Sequence, residues 1–198
     1  MPKPRLIVGI SGASGIIYGV RLLELLRPAG VESHLVVSRA GDLTRAHELD
    51  LSASQLRGLA DVHYADAEVG AAIASGSFRT LGMVIIPCSM RSLAEVASGV
   101  TTSLLTRAAD VVLKERRRLV LVVRETPLNA IHLRNMLTVT EAGGIIAPPV
   151  PAFYTAPQSL DELITQTVGR VLDLFDLEVG GLQRWGEQLG LRSERPSG

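Results

Sequence analysis

Leu6-Ile7-Val8-Gly9-Ile10 is an apolar run with no polar alternation, and no other stretch constrains the fold as much. A half-buried strand alternates in polarity. A continuous run is a strand covered on both faces, as in a parallel sheet with helices above and below. Directly after it comes Ser11-Gly12-Ala13-Ser14-Gly15, a turn made only of small residues, two of them free to adopt positive φ. Ile16, Val20 and Leu23 then repeat at helical spacing until Pro28-Ala29-Gly30 ends the helix. Strand, small-residue turn and helix in this order let backbone N–H groups and the helix N-terminus close on a phosphate; a tight turn without a ligand is the alternative. Ser14 serves there as helix cap or phosphate donor. Because the turn is not G-x-G-x-x-G, it suits a mononucleotide better than a dinucleotide.

The rest of the chain repeats the alternation. His34 to Ser38, Gly82 to Ile86, Arg118 to Val123 and Gly144 to Ala147 read as strands, with Val62-His63-Tyr64 a weak edge strand. Helices are expected from about Gly41, carrying Glu48, and over Ser52–Leu59, Thr101–Arg116 and Ser159–Phe175. Another is expected to start at Thr126 as cap and Pro127 as first residue, ending near Gly143-Gly144. Ser159 caps the long helix with Glu162 at capping-box spacing, and a further short helix holds Trp185. Ala65–Arg79 is expected to be a loop over the site or, equally, a plain connection. Pro148 to Tyr154 is too proline-rich for helix or inner strand. These elements specify an α/β doubly wound parallel sheet, Rossmann- or flavodoxin-like with three layers. One domain is expected over residues 1–191, with 192–198 a loose tail.

With 20 basic and 20 acidic residues the net charge is zero, which argues against a general nucleic-acid binder. A hydrophobic content of 46% and a mean hydropathy of +0.27 call for a large core or buried contacts between subunits. No apolar run is long enough for a membrane span. The single cysteine, Cys88, and an N-terminus without a signal pattern lead us to expect a cytoplasmic protein. The four histidines are scattered, so no metal site is expected.

In such sheets ligands lie beyond the carboxyl ends of the strands. Those ends carry Ser11 to Ser14, Ser38, Cys88-Ser89-Met90 followed by Arg91-Ser92, and Arg124-Glu125. Arg124 offers a planar donor fork to phosphate or ring carbonyls; an ion pair with Glu125 is the alternative. Arg107 and Lys114, seven apart, share a helical face. Cys88 reads as a small buried residue rather than a nucleophile.

Gly12-Ala13-Ser14-Gly15, Pro87-Cys88-Ser89, Thr106 to Val111, Leu113 to Arg116, Arg124 to Pro127 and Pro149 to Tyr154 together resemble the UbiX-type flavin prenyltransferases. The likeness runs from about Arg5 to Gln188. It implies a flavoprotein that binds reduced FMN and joins a dimethylallyl group from dimethylallyl monophosphate to flavin N5 and C6. The product, prenylated FMN, would serve a UbiD-type decarboxylase. By resemblance Gly12, Ala13, Ser14, Ser38, Ser89, Met90, Arg91, Ser92 and Arg124 contact the flavin. Arg107, Lys114, Tyr154, Arg170 and Trp185 surround the prenyl donor. Glu48 and Glu125 handle protons, and with Lys114 and Ser14 make up the catalytic set. Val69 stands where some members carry tryptophan. The resemblance further implies a homo-oligomer, a dodecameric shell. The chain has no Asp-Asp pair to hold magnesium on a leaving phosphate, so cationic side chains and tyrosine must neutralise it. A flavin-carrying accessory subunit and a flavin-dependent cysteine decarboxylase are the competing functions.

Overall fold

The computed structural model describes residues 3–186 and 189. In chain order they form β1 (Arg5–Ile10), α1 (Ile16–Leu26), β2 (Glu32–Val37), α2 (Arg39–Glu48), α3 (Ala53–Gly58), β3 (Val62–Ala65) and β4 (Gly82–Cys88). There follow α4 (Met90–Ser98), α5 (Leu104–Lys114), β5 (Arg118–Val123), α6 (Ala130–Glu141), β6 (Ile145–Ile146) and α7 (Leu160–Asp173). The strands make one sheet in the order β3-β2-β1-β4-β5-β6, every pairing parallel. The chain runs outward from β1 to the β3 edge, then crosses back to place β4 on the other side of β1. That reversal creates a switch point between the carboxyl ends of β1 and β4.

Side chains alternating along β1 feed two cores. Leu6, Val8 and Ile10 pack with Ile16 and Leu23 of α1 and with Val168 and Leu172 of α7. Ile7 faces the other way, with Met83, Ile85 and the apolar stripe Leu105, Ala108 and Val112 of α5. Each such side chain, fully buried, is worth about 1.5–3 kcal/mol. The three-layer α/β sheet is as expected, with β3 at the edge.

Several element expectations need correction. α4 was not anticipated: it buries only Ser92 and Leu93, so it has little apolar stripe. Its signals are nonetheless present, Ser89 as N-cap and Gly99 at φ 68° ending it. Thr126 and Pro127 do not start α6. Asn129 does, its Oδ1 accepting the N–H groups of Ile131 and His132 at 2.9 Å each. α5 begins at Leu104 behind Ser103 rather than at Thr101. Trp185 lies in an isolated bridge with Leu189, not in a helix. Glu162 accepts from the Gln158 N–H at 2.7 Å, so its carboxylate does not close a box on Ser159. Residues 192–198, the expected tail, fall outside the described residues.

Candidate active site

Ser11 holds the switch point together. Its side chain is fully buried; Oγ donates to the Pro87 carbonyl at 3.0 Å and accepts the Ser89 N–H at 2.8 Å. On either side, the Ser38 N–H donates to the Ile10 carbonyl at 2.9 Å and the Arg124 N–H to the Cys88 carbonyl at 3.1 Å. Four strand ends are thereby set at fixed spacing.

Beyond them opens a pocket of about 220 Å³, lined by Gly12, Ser38, Ser89, Arg91, Ser92 and, unforeseen, Arg39, Asp66, Ser103 and Thr106 among others. Three of the serines are helix N-caps: Ser38 accepts the Gly41 N–H at 3.0 Å, Ser89 that of Ser92 at 3.2 Å, and Ser103 that of Thr106 at 3.4 Å. The N-termini of α2, α4 and α5 therefore converge on one hollow. First-turn N–H groups that have no intrahelical acceptor collect there with the positive ends of three helix dipoles. Gly12 permits the approach of α2, since a Cβ there would come within 2.4 Å of Ala40 Cβ. Asp66 is the part of the Ala65–Arg79 stretch that reaches this pocket, its carbonyl accepting the Leu104 N–H at 2.7 Å and its carboxylate that of Leu105 at 3.0 Å. The rest is not a lid here. Ile73 is buried in the core, and Arg117 holds the Gly76 and Phe78 carbonyls at 2.6 and 2.7 Å. Ser11, Ser103 and Thr106 were legible as hydroxyls placed just before or within helix starts; nothing in the spacing singled out Asp66.

The α1 N-terminus behaves differently. Its anion comes from the protein: Glu48, last residue of α2, accepts the Gly15 N–H at 2.9 Å and the Ile16 N–H at 3.0 Å. Gly15, at φ 102°, occupies the N-cap position, so Ser14 does not cap the helix and instead hydrogen-bonds Glu48. Partial burial pushes the Glu48 pKa up. The bond from Ser14, the N–H groups of Ile16 and Gly15 and the charge of Arg124 outweigh it, leaving the pKa below the ordinary carboxylate value. Arg124 is near enough for its charge to act on Glu48 and forms no ion pair with Glu125. The Glu125 carboxylate accepts the Thr126 N–H at 3.0 Å instead.

The other predicted cations do not line the pocket. Arg107 pairs with Asp110 at 3.0 Å, and Lys114 pairs with Glu115 beside Gly76. Lys114 is at the far end of α5 from the pocket, about 16 Å along an eleven-residue helix. On the opposite layer Tyr154 and Trp185 meet edge to face at 5.9 Å. Close by, Arg170 and Arg184 share Asp173, whose pKa burial raises but the two guanidinium groups lower further, for a net fall. Glu48 and Arg124 do not line the pocket either, Glu48 lying at the far end of α2 from it. Arg107 is in the first turn of α5, next to the pocket-lining Thr106, whereas Lys114 and the Tyr154–Trp185–Arg170 cluster lie apart. A larger cavity, about 670 Å³, opens at the β3 edge and includes none of the switch-point serines. Burial pushes the Cys88 thiol up to about 12, which removes it as a nucleophile at neutral pH. Among the described residues, no group of three or more His, Cys, Asp or Glu could hold a metal ion, and no helix is long and apolar enough to cross a membrane.

Residues 1–172 match the protein family described as Flavoprotein. The flavin prenyltransferase UbiX of Neisseria meningitidis serogroup B is 55% identical over 181 residues, covering 91% of this chain and 96% of the relative. The structure of AnUbiX (PadA1) in complex with FMN and dimethylallyl pyrophosphate superimposes with a TM-score of 0.92 at 51% identity, covering 93% of this chain and 98% of that one. A dodecameric FMN-dependent UbiX-like decarboxylase from Escherichia coli O157:H7 gives 0.89 at 49% identity, covering 91% and 98%. The chain belongs to the flavoprotein family and, within it, to the UbiX-type flavin prenyltransferases.

Proposed function

We propose that this chain, as a cytoplasmic oligomer of identical copies, joins a dimethylallyl group from dimethylallyl monophosphate to N5 and C6 of reduced FMN. The product is prenylated FMN for a UbiD-type decarboxylase. The observation that carries this is the division of anion sites at the switch point. Three serine-capped helix N-termini face a hollow suited to one phosphate, while the fourth N-terminus already holds Glu48.

The pocket fits FMN in part. Hydroxyls of Ser38, Ser89, Ser92, Ser103 and Thr106, with Gly12 leaving room, would hold the phosphate end. At about 220 Å³ it is below the roughly 300–1,000 Å³ of pockets that enclose a whole ligand. The ring end must project past Ala13, Ser14 and Met90 toward Arg124, whose donor fork suits its carbonyls. Reduced FMN supplies an electron-rich acceptor, so the protein needs no activated serine or cysteine. Its task is to neutralise the departing phosphate and to move protons. Arg107, Lys114, Tyr154 and Arg170 suit the first, Glu48 and Glu125 the second. Since Lys114, Tyr154 and Arg170 do not line the pocket of their own chain, copies of the chain would bring them to it, residues 1–191 acting as the repeating unit. None of the pocket-lining residues is a histidine, which disfavours the cysteine-decarboxylase reading.

The test is anaerobic incubation with reduced FMN and, in parallel, dimethylallyl monophosphate or diphosphate, followed by mass and absorption spectra of the released flavin. A flavin heavier by one dimethylallyl group with either donor is the expected result. Unchanged FMN with both donors refutes the proposal and leaves the flavin-carrier alternative.

A further inference from the structure

At the amino ends of β1 and β4, opposite the switch point, lies a cavity of about 490 Å³, within the range that encloses a small molecule. Lys3 and Arg5 enter it from the start of β1, and Phe78, Arg79, Thr80 and Leu81 from the approach to β4. Three of its side chains are cationic and no acid lines it, in a chain whose net charge is zero. One sign of charge gathered in a concave wall attracts an anion. Arg5 is already matched by Glu32 at 3.1 Å. Lys3 and Arg79 make no ion pair among the described residues. The wall itself is well held. The Arg5 guanidinium lies over the Phe78 ring at 4.8 Å, His34 meets that ring edge to face at 5.0 Å, and Arg117 holds the Phe78 carbonyl at 2.7 Å. The Leu81 N–H donates to the Arg5 carbonyl at 2.8 Å and ties the two strand starts together. Thr80 breaks the pattern. Its Oγ1 is buried without a hydrogen-bond partner, the one such side-chain atom among the described residues. A buried hydroxyl left unpaired costs stability.

We propose that this cavity binds a phosphate monoester with a small apolar body, at a site separate from the switch-point pocket. At neutral pH such an ester carries roughly two negative charges, which match the two unpaired cations, Lys3 and Arg79. A carboxylate of the same size would leave one of them unmatched. The Phe78 ring, with Pro4 and Leu81, offers apolar surface to the body of the ester. The Thr80 hydroxyl bonds nothing where it stands, so it loses no hydrogen bond by turning one rotamer toward the phosphate. The switch-point pocket shares none of these residues, so both sites can be filled at once.

Calorimetric titration of the FMN-saturated protein tests this, with phenyl phosphate, benzoate and inorganic phosphate as probes. Phenyl phosphate should bind, and the other two should bind about tenfold or more weakly. Arg79→Gln should weaken phenyl phosphate about tenfold or more and leave FMN affinity unchanged. Thr80→Val should weaken it about threefold, while the ligand-free variant melts no lower than wild type, because the hydroxyl it removes was unpaired. No binding of phenyl phosphate overturns the proposal. So does equal affinity in wild type and Arg79→Gln, which would place the ester in another pocket. Benzoate or inorganic phosphate bound as tightly as phenyl phosphate overturns the choice of a monoester. Unaltered affinity in Thr80→Val overturns the part given to the hydroxyl.

Discussion

Glu48 caps α1 and bonds Ser14, so under the proposed function its charge state ties stability to chemistry. Its folded pKa lies below the ordinary carboxylate value. The stabilisation it gives is therefore complete above that value and lost as pH falls through the lowered one. Glu48→Gln should flatten the fall in melting temperature between about pH 5 and 3. At neutral pH the wild-type carboxylate is ionised, as the proton-accepting role proposed for it requires. The same variant should slow formation of the finished product about 10²-fold while FMN affinity changes little, as read by single-turnover absorbance and by equilibrium dialysis. Lys114→Ala should likewise leave FMN binding intact and cost about 10²-fold or more in prenyl transfer, the scale of one lost charge-stabilising donor. Loss of FMN in both variants would mean that they hold the flavin rather than act on the donor.

At the scale of elements, the cap of α6 separates the two accounts of where that helix begins. Asn129→Ala should lower stability by about 1 kcal/mol in denaturant melts, whereas Thr126→Ala should be nearly neutral. The reverse order would restore the start at Thr126. The contrast shows what the sequence could and could not disclose. β1, β4 and β5 were readable because strands buried on both faces carry long apolar runs, β2 only by its Leu35-Val36-Val37 half, and α5 and α7 because their stripes are long. The fold class followed from those alone. α4 escaped because its buried face is one leucine and one serine, too little for a periodic signal. The true cap of α6 was overlooked because Thr-Pro imitates a helix start. At the site, Ser38 and Ser89 were visible as hydroxyls at strand ends, and both line the pocket. Asp66 was not, because its position depends on a crossover that brings the chain back beneath α5. Glu48 was anticipated by resemblance, but its contact with the α1 N-terminus is a tertiary fact joining residues more than thirty apart.

For the whole molecule, the separation of the pocket from Lys114 and from Tyr154 has a direct test. Lys114→Ala spares the pocket, and Ser89→Arg blocks it while sparing Lys114. If sites form between copies, each variant alone should be strongly impaired. Dissociated and reassembled together they should recover measurable prenyl transfer, because some sites draw an intact half from each parent. Mixed assemblies with no activity above the separate variants would place all the groups in one chain after all.

Trp185 gives the protein a built-in optical probe. It is the chain's one tryptophan, 59% exposed and set edge-on to Tyr154 beside the Arg170–Asp173–Arg184 cluster. Under the proposed function, all indole emission thus arises where the prenyl donor would be met. An isolated chain should emit at the long wavelengths of a hydrated indole, and assembly should shift that emission to the blue. Titrating in dimethylallyl monophosphate without flavin should then perturb the same band. Donor binding could in this way be followed by light alone, before any bond is made.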